Sequence, residues 1–196
     1  MSRKQTGINK PSRRDHLVRT AMELFCAHGY HATGVDMIMQ ASGVSKKTMY
    51  TYFRTKEELV LAALMAYDSV FRNQFMRAVE AATTTPQDKL LAVFDVAHDW
   101  FGQNNFYGCP FINAVGEYAD TDNPVRQISK LFKQQMHDYV RSLCVAAGAG
   151  NPDGLADELA LLLEGAIVTA QVSGRPGAAE TAKRIAAHRI AEQTKK

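Results

Sequence analysis

With 196 residues, 46% of them hydrophobic and only six prolines, the chain can bury a proper core and fits one or two domains. No uninterrupted apolar run approaches the roughly 20 residues that cross a bilayer, and the basic start MSRKQTGINKPSRR is not followed by an apolar signal core, so no membrane partner is expected and a cytoplasmic location is. Charge is uneven: residues 1–60 hold ten Lys and Arg against five Asp and Glu, a surplus of five, while residues 61–196 hold 13 against 15, which recovers the net +3.

Strand-like alternation is scarce, so an all-α chain is predicted. Residues 1–11 are expected to form a disordered basic arm. Ser12 and Asp15 have the spacing of a capping box, and Leu17, Val18, Ala21, Leu24 and Phe25 line one face of a helix that ends near Gly29. The stretch 29–59, GYHATGVDMIMQASGVSKKTMYTYFRTKEEL, then carries the strongest local signals. Val35, Ile38, Met39 and Ala41 keep helical spacing, and Thr33 with Asp36 supplies a second box, so a helix is expected from about Gly34 to Ser42. Gly43 stops it because glycine takes the left-handed turn at little steric cost, and Val44 packs the turn down. Ser45 is the N-cap of a further helix bearing Lys46, Lys47, Thr48, Tyr50, Thr51 and Tyr52, with Met49 and Phe53 on its inner side. Two short helices about a glycine turn make a helix-turn-helix, and the donors and planar groups of the second suit a DNA groove and backbone. The basic first third fits that reading. Thr55 and Glu58 open a long helix from about Lys56 to Ala82, whose first-turn amides and Lys56 are a candidate phosphate site. Its apolar positions Leu59, Ala62, Ala63, Ala66, Val70 and Phe71 serve both ends, so it is the expected link between body and DNA.

Helices are predicted next at about 87–103, 109–119, 124–147, 153–173 and 177–193, separated by segments rich in Gly, Asn, Asp and Pro. Leu155, Leu159, Leu162, Leu163, Ala166, Ile167 and Ala170 form a broad apolar face, a candidate for self-association or for an ordinary core. Phe94, His98, Trp100, Phe101, Tyr107, Cys109, Phe111, Asn113, Met136, Tyr139, Glu164 and Gln171 are candidate lining residues of a small-molecule site, mostly apolar with a few polar groups. Aromatic residues at this spacing also serve as plain core; Glu164 is either a ligand anchor or a surface group. Cys26, Cys109 and Cys144 have no zinc-like spacing, and no metal or cofactor is expected. Cys109 is either a buried small hydrophobe or a sensor thiol, activated by a helix start. Asp95, His98 and Asp99 share one helix region without any catalytic motif, and no phosphate loop, nucleophile elbow or His-Glu-x-x-His is present, so no enzyme is expected. A sequence-blind DNA binder would not need a body more than twice the length of its head.

Gly29, Tyr30, Thr33, Val35, Ile38, Ala41, Gly43, Val44, Ser45, Thr48, Tyr50, Tyr52, Phe53, Lys56, Glu57 and Leu59 together resemble the TetR family of bacterial transcriptional repressors. Gly34, Met39 and Lys47 depart from its usual pattern, and Lys47 adds a long cation to the recognition helix. Gly108, Cys109, Asn113 and Glu117 resemble a Gly-Cys-x-x-x-Asn-x-x-x-Glu motif found in a subset of the family. The resemblance implies a helix-turn-helix domain at 12–57 and an effector-binding and dimerisation domain at 58–196. It implies a homodimer joined through the last two helices, a palindromic double-stranded DNA operator and release by a small-molecule effector. Lys46, Lys47, Thr48, Tyr50, Thr51, Tyr52 and Lys56 are the expected DNA contacts, with Thr33 and Ser45 near phosphates. An electrophile- or redox-sensing repressor acting through Cys109 is the alternative.

Overall fold

The structure, a computed structural model, describes residues 12–194, so the basic arm expected at 1–11 lies outside the described residues. Among these residues the fold is all-α, with helices α1 (Arg13–His28), α2 (Val35–Ser42), α3 (Lys46–Tyr52), α4 (Lys56–Ala82), α5 (Pro86–Phe101), α6 (Pro110–Glu117), α7 (Pro124–Ala146), α8 (Pro152–Ser173) and α9 (Ala178–Gln193). The chain divides into two compact units at Ala66–Tyr67, inside α4.

In the first unit, α1 starts where Ser12 Oγ accepts the Asp15 amide at 3.1 Å. Such a cap stabilises a helix by about 1 kcal/mol. Leu17, Val18, Ala21, Met22 and Phe25 are buried at helical spacing. Tyr30, fully buried, stacks on Phe25 with centroids 5.2 Å apart. Ile38 of α2, Met49 of α3, and Leu59, Val60, Ala63 and Leu64 of α4 add to this unit's core. Each of these but Ala63 contributes about 1.5–3 kcal/mol on leaving water. Gly43 has φ +66° and its amide returns to the Met39 carbonyl, as the sequence led one to expect. The box expected at Thr33 and Asp36 does not form. Gly34 is the N-cap of α2, without a side-chain bond. Thr33 is instead fully buried, its hydroxyl near the carbonyls of Gly29 (2.6 Å) and Leu24 (3.2 Å), where it braces the α1–α2 connection.

In the second unit, Pro86, Pro110, Pro124 and Pro152 each open a helix. Proline lacks only an amide that has no partner in a first turn, and its fixed φ suits the position. Thr85, Asn123 and Asn151 cap three of these starts through the amides of Asp88, Val125 and Gly154. Helix α8 packs on α5, α7 and α9, and α9 lies against α5. Its buried face, Ala179, Ala182, Ala186 and Ile190, is mostly alanine, so helices can approach closely. Lys183 bridges to Asp95 of α5 at 2.6 Å, and Arg189 grips Glu158 of α8 with two bonds of 2.7 and 2.8 Å.

The face proposed for self-association is largely this unit's own core. Leu155, Leu159, Leu163, Ala166, Ile167 and Ala170 are all buried within one chain, and Leu162 is intermediate. Helix α8 carries a second apolar stripe: Leu161, Val168 and Val172, 75%, 43% and 82% exposed. Ile185 of α9 is also exposed.

Candidate nucleic-acid interface and effector cavity

Helix α3 is held from inside by Met49, fully buried, and Phe53, over whose ring the Arg14 guanidinium sits at 5.0 Å. Its other faces are open: Tyr50 and Tyr52 are 46% and 39% exposed, and Ser45, Lys46, Lys47 and Thr51 are exposed, while Thr48 is half-buried. Ser45 Oγ accepts the Thr48 amide at 3.2 Å and lies 2.9 Å from the Thr48 hydroxyl. Thr51 donates to the Lys47 carbonyl at 2.9 Å. Those hydroxyl oxygens keep acceptor capacity, and the tyrosine hydroxyls can donate or accept. Lys46 reaches Asp36 only at 3.5 Å, with both side chains mostly in water, a pairing worth little.

One expectation for DNA contact needs correction. Thr33 is internal and cannot meet a phosphate. At the start of α4, Thr55 Oγ1 takes one first-turn amide, that of Glu58, at 3.2 Å, while the Glu58 carboxylate takes the Arg54 amide ahead of the helix at 2.7 Å. Lys56 remains beside them, donating one proton to the His31 carbonyl at 3.2 Å.

The second unit contains a cavity of about 30 Å³ lined by Tyr67, Phe71 and Phe75 of α4, Trp100 of α5, Cys109 and Pro110 at the start of α6, Phe132, Lys133 and Met136 of α7, and Leu163, Glu164 and Ile167 of α8. That volume admits a water or two. Of the predicted lining residues, Trp100, Cys109, Met136 and Glu164 are brought together here. Phe94 and Phe101 are core, and Phe111 is fully buried, stacked on Phe132 at 3.9 Å. Tyr139 is buried and donates to Glu80 at 3.0 Å. Tyr107 is exposed, and His98 lies beside Glu180 at 3.4 Å. Asn113 and Gln171 bond to each other at 3.1 Å, and Asn113 also donates to the Tyr107 carbonyl at 3.0 Å.

The sequence reading missed the aromatic ladder Tyr67, Phe71 and Phe75, whose four-residue spacing was a usable signal. It also missed Phe132 and Lys133, which nothing local distinguishes, and gave Leu163 and Ile167 to self-association. Lys133 Nζ donates to Glu164 Oε1 at 2.5 Å across the cavity wall.

Cys109 is the N-cap residue of α6 and is buried. Burial pushes its thiol above the ordinary value; nearby Lys133 and the amides of Ile112 and Phe111 pull the other way, and Glu164 adds to the rise. The thiolate activation expected from the helix start is therefore overruled by desolvation. The preceding Gly108 has φ +82°, and a Cβ there would overlap the Gln171 carboxamide. The Gly-Cys-x-x-x-Asn spacing thus has a local structural reason: Gly108 turns beneath Gln171, and Asn113 ties that residue in place. Among the described residues no cluster of His, Cys, Asp and Glu suits a metal ion, and no helix is long and apolar enough to cross a membrane.

An exposed recognition helix after a glycine turn, on a chain whose other unit is a helical body with an internal cavity, defines a helix-turn-helix transcriptional regulator. Residues 17–63 match the family described as "Bacterial regulatory proteins, tetR family", and residues 86–186 match "Tetracyclin repressor-like, C-terminal domain". The chain belongs to the TetR family. It is 25% identical over 176 residues to the HTH-type transcriptional regulator YjdC of Escherichia coli (strain K12), covering 88% of this chain and 91% of that one. It is 34% identical over 159 residues to the HTH-type transcriptional activator FasR of Mycolicibacterium smegmatis, covering 75% and 71%. The crystal structure of SCO4454, a TetR-family transcriptional regulator from Streptomyces coelicolor, superposes with a TM-score of 0.86 at 28% identity, covering 93% of this chain and 96% of that chain.

Proposed function

We propose that this protein is a cytoplasmic homodimeric repressor that occupies a palindromic operator and leaves it when a small molecule enters the cavity of its second unit. The observation that carries the DNA reading is helix α3, which keeps Met49 inside while exposing Tyr50, Tyr52, Lys46 and Lys47. Ser45, Thr48, Thr51 and Lys56 complete the proposed contact set, and Thr33 acts only by bracing the turn. Two recognition helices one DNA turn apart, about 34–36 Å, would read successive major grooves. The exposed stripe Leu161, Val168 and Val172 on α8 replaces the buried face as the proposed dimer contact, since those side chains still have apolar surface to lose.

The release step follows from α4. Tyr67, Phe71 and Phe75 line the cavity, and the same helix begins at Lys56. A ligand larger than the cavity must displace this aromatic ladder, and α4 is the proposed path of that displacement to its first turn. To empty the operator, the ligand must favour the displaced state by a few kcal/mol, about 5.5 for a shift from 99:1 to 1:99. A second route would act through Cys109, whose sulfur lies on the cavity wall; since burial raises that thiol's pKa, it requires the cavity to open first.

A nuclease footprint on DNA flanking the gene tests the regulator reading. A protected palindrome is expected. Uniform, salt-sensitive binding without a protected site would refute specific operator recognition.

A further inference from the structure

The two charges on the cavity wall are already matched to each other, and this restricts what the cavity can hold. Lys133 Nζ donates to Glu164 Oε1 at 2.5 Å, and the two side chains keep only 29% and 36% of their surface in water. An anionic ligand accepting from Lys133 would bring a second negative charge beside Glu164, and a cationic ligand donating to Glu164 would bring a second positive charge beside Lys133. Like charges this close in a partly desolvated wall disfavour each other. An ammonium has three protons, and Glu164 takes one, so Lys133 can still donate to an uncharged acceptor. Burial pushes the Cys109 thiol above its ordinary value, which favours its neutral form.

The remaining wall is mostly ring surface. Phe71 lies 4.8 Å from Trp100, 5.3 Å from Tyr67, 5.8 Å from Phe75 and 6.3 Å from Phe132, centroid to centroid. The Tyr67 pair is stacked and the other three are tilted, so the wall offers ring faces at several angles, which suits a flat apolar body. With about 30 Å³ available, such a body enters only as these rings part, which is the displacement the release step requires.

We infer that the cavity takes an uncharged, planar aromatic molecule bearing a carbonyl oxygen, with its ring against the Phe71–Trp100 wall, its oxygen accepting from Lys133, and the Lys133–Glu164 pair left whole. The inference rests on the reading of this cavity as the effector site. The test is calorimetric titration of the full-length protein with 2-acetylnaphthalene, 2-ethylnaphthalene, 2-naphthoate and (2-naphthyl)trimethylammonium. The ketone is expected to bind at least about tenfold more tightly than each of the other three. The double variant Lys133→Met with Glu164→Leu, which removes both charges together and strands neither, should bring the ketone down to the level of 2-ethylnaphthalene measured in the same variant. Tightest binding of the carboxylate or the ammonium, or a ketone preference that survives in the double variant, would overturn the inference. Absence of binding by all four would instead overturn the effector-site reading on which it stands.

Discussion

Replacing Gly108 by Ala isolates how the connection into α6 is held over the cavity. At φ +82°, any residue with a Cβ is strained, by about 1–2 kcal/mol. The added carbon would also overlap the Gln171 carboxamide. Because Gln171 is an exposed, flexible side chain, it can swing away, but it then gives up its 3.1 Å bond to Asn113. That bond is worth about 0.5–1 kcal/mol at a solvent-facing position. Together the losses come to about 1.5–3 kcal/mol, which lowers the melting midpoint by roughly 3–12 °C for a chain of this length. Gln171→Ala alone should cost only the bond. Added to Gly108→Ala it should cost almost nothing more, since the bond has already gone. Denaturant titration of the wild type, both single variants and the double variant measures this coupling. Strict additivity, within about 0.5 kcal/mol, would mean that Gln171 does not constrain Gly108, and the reasoning would fail.

Tyr50→Ala should weaken operator binding by about tenfold or more with the melting midpoint unchanged; gel-shift titration showing equal affinity would remove Tyr50 from the contact set. Thr33→Val should do the reverse, costing about 1 kcal/mol of stability through its lost bonds to Gly29 and Leu24 while sparing the affinity of the folded protein. A folded Thr33→Val variant with weak operator affinity would restore the phosphate role. Leu161→Glu should yield folded monomers in sedimentation, because the side chain is 75% exposed, whereas Leu159→Glu, at 2% exposure, should unfold the second unit; a dimer that survives Leu161→Glu would place the interface elsewhere. Burial pushes the Cys144 thiol from 9.0 up to about 11. Below pH 9 both folded and unfolded forms hold the proton, but between those values only the unfolded chain releases it, so stability falls as pH rises through that window. Cys144→Ala should flatten the alkaline limb of the stability curve, and an unchanged limb would show that the thiol does not titrate there.

The helix-turn-helix was legible because its determinants are local. Ser12, Gly43, Ser45 and the Thr55–Glu58 pair each act within a few residues of themselves, and all do what their chemistry dictates. Thr33 shows the limit of that logic: a hydroxyl three residues before an acid has the spacing of a cap, yet tertiary packing buries it against the end of α1. The family resemblance rested mainly on this same short window, and the one motif it drew from the body, Gly108, Cys109, Asn113 and Glu117, names no effector.

The body is a different case. Amino-acid sequence alone determined that it is helical, where the helices break, and that α8 is apolar. It did not determine which side of α8 faces inward, because Leu155, Leu159 and Leu163 on one face and Leu161, Val168 and Val172 on another satisfy the same periodicity. Nor did it show that Tyr67 and Phe71 meet Trp100, Phe132, Lys133 and Glu164, which are separated by up to about a hundred positions in the chain and share no local pattern. Cys109 makes the point most sharply. The start of α6, read from sequence, argues for an activated thiol, whereas only the packed second unit supplies the burial that reverses the sign of its shift. Local backbone chemistry is written residue by residue, but desolvation and the partnering of charges depend on which distant side chains close around a group, and that is decided by the tertiary structure.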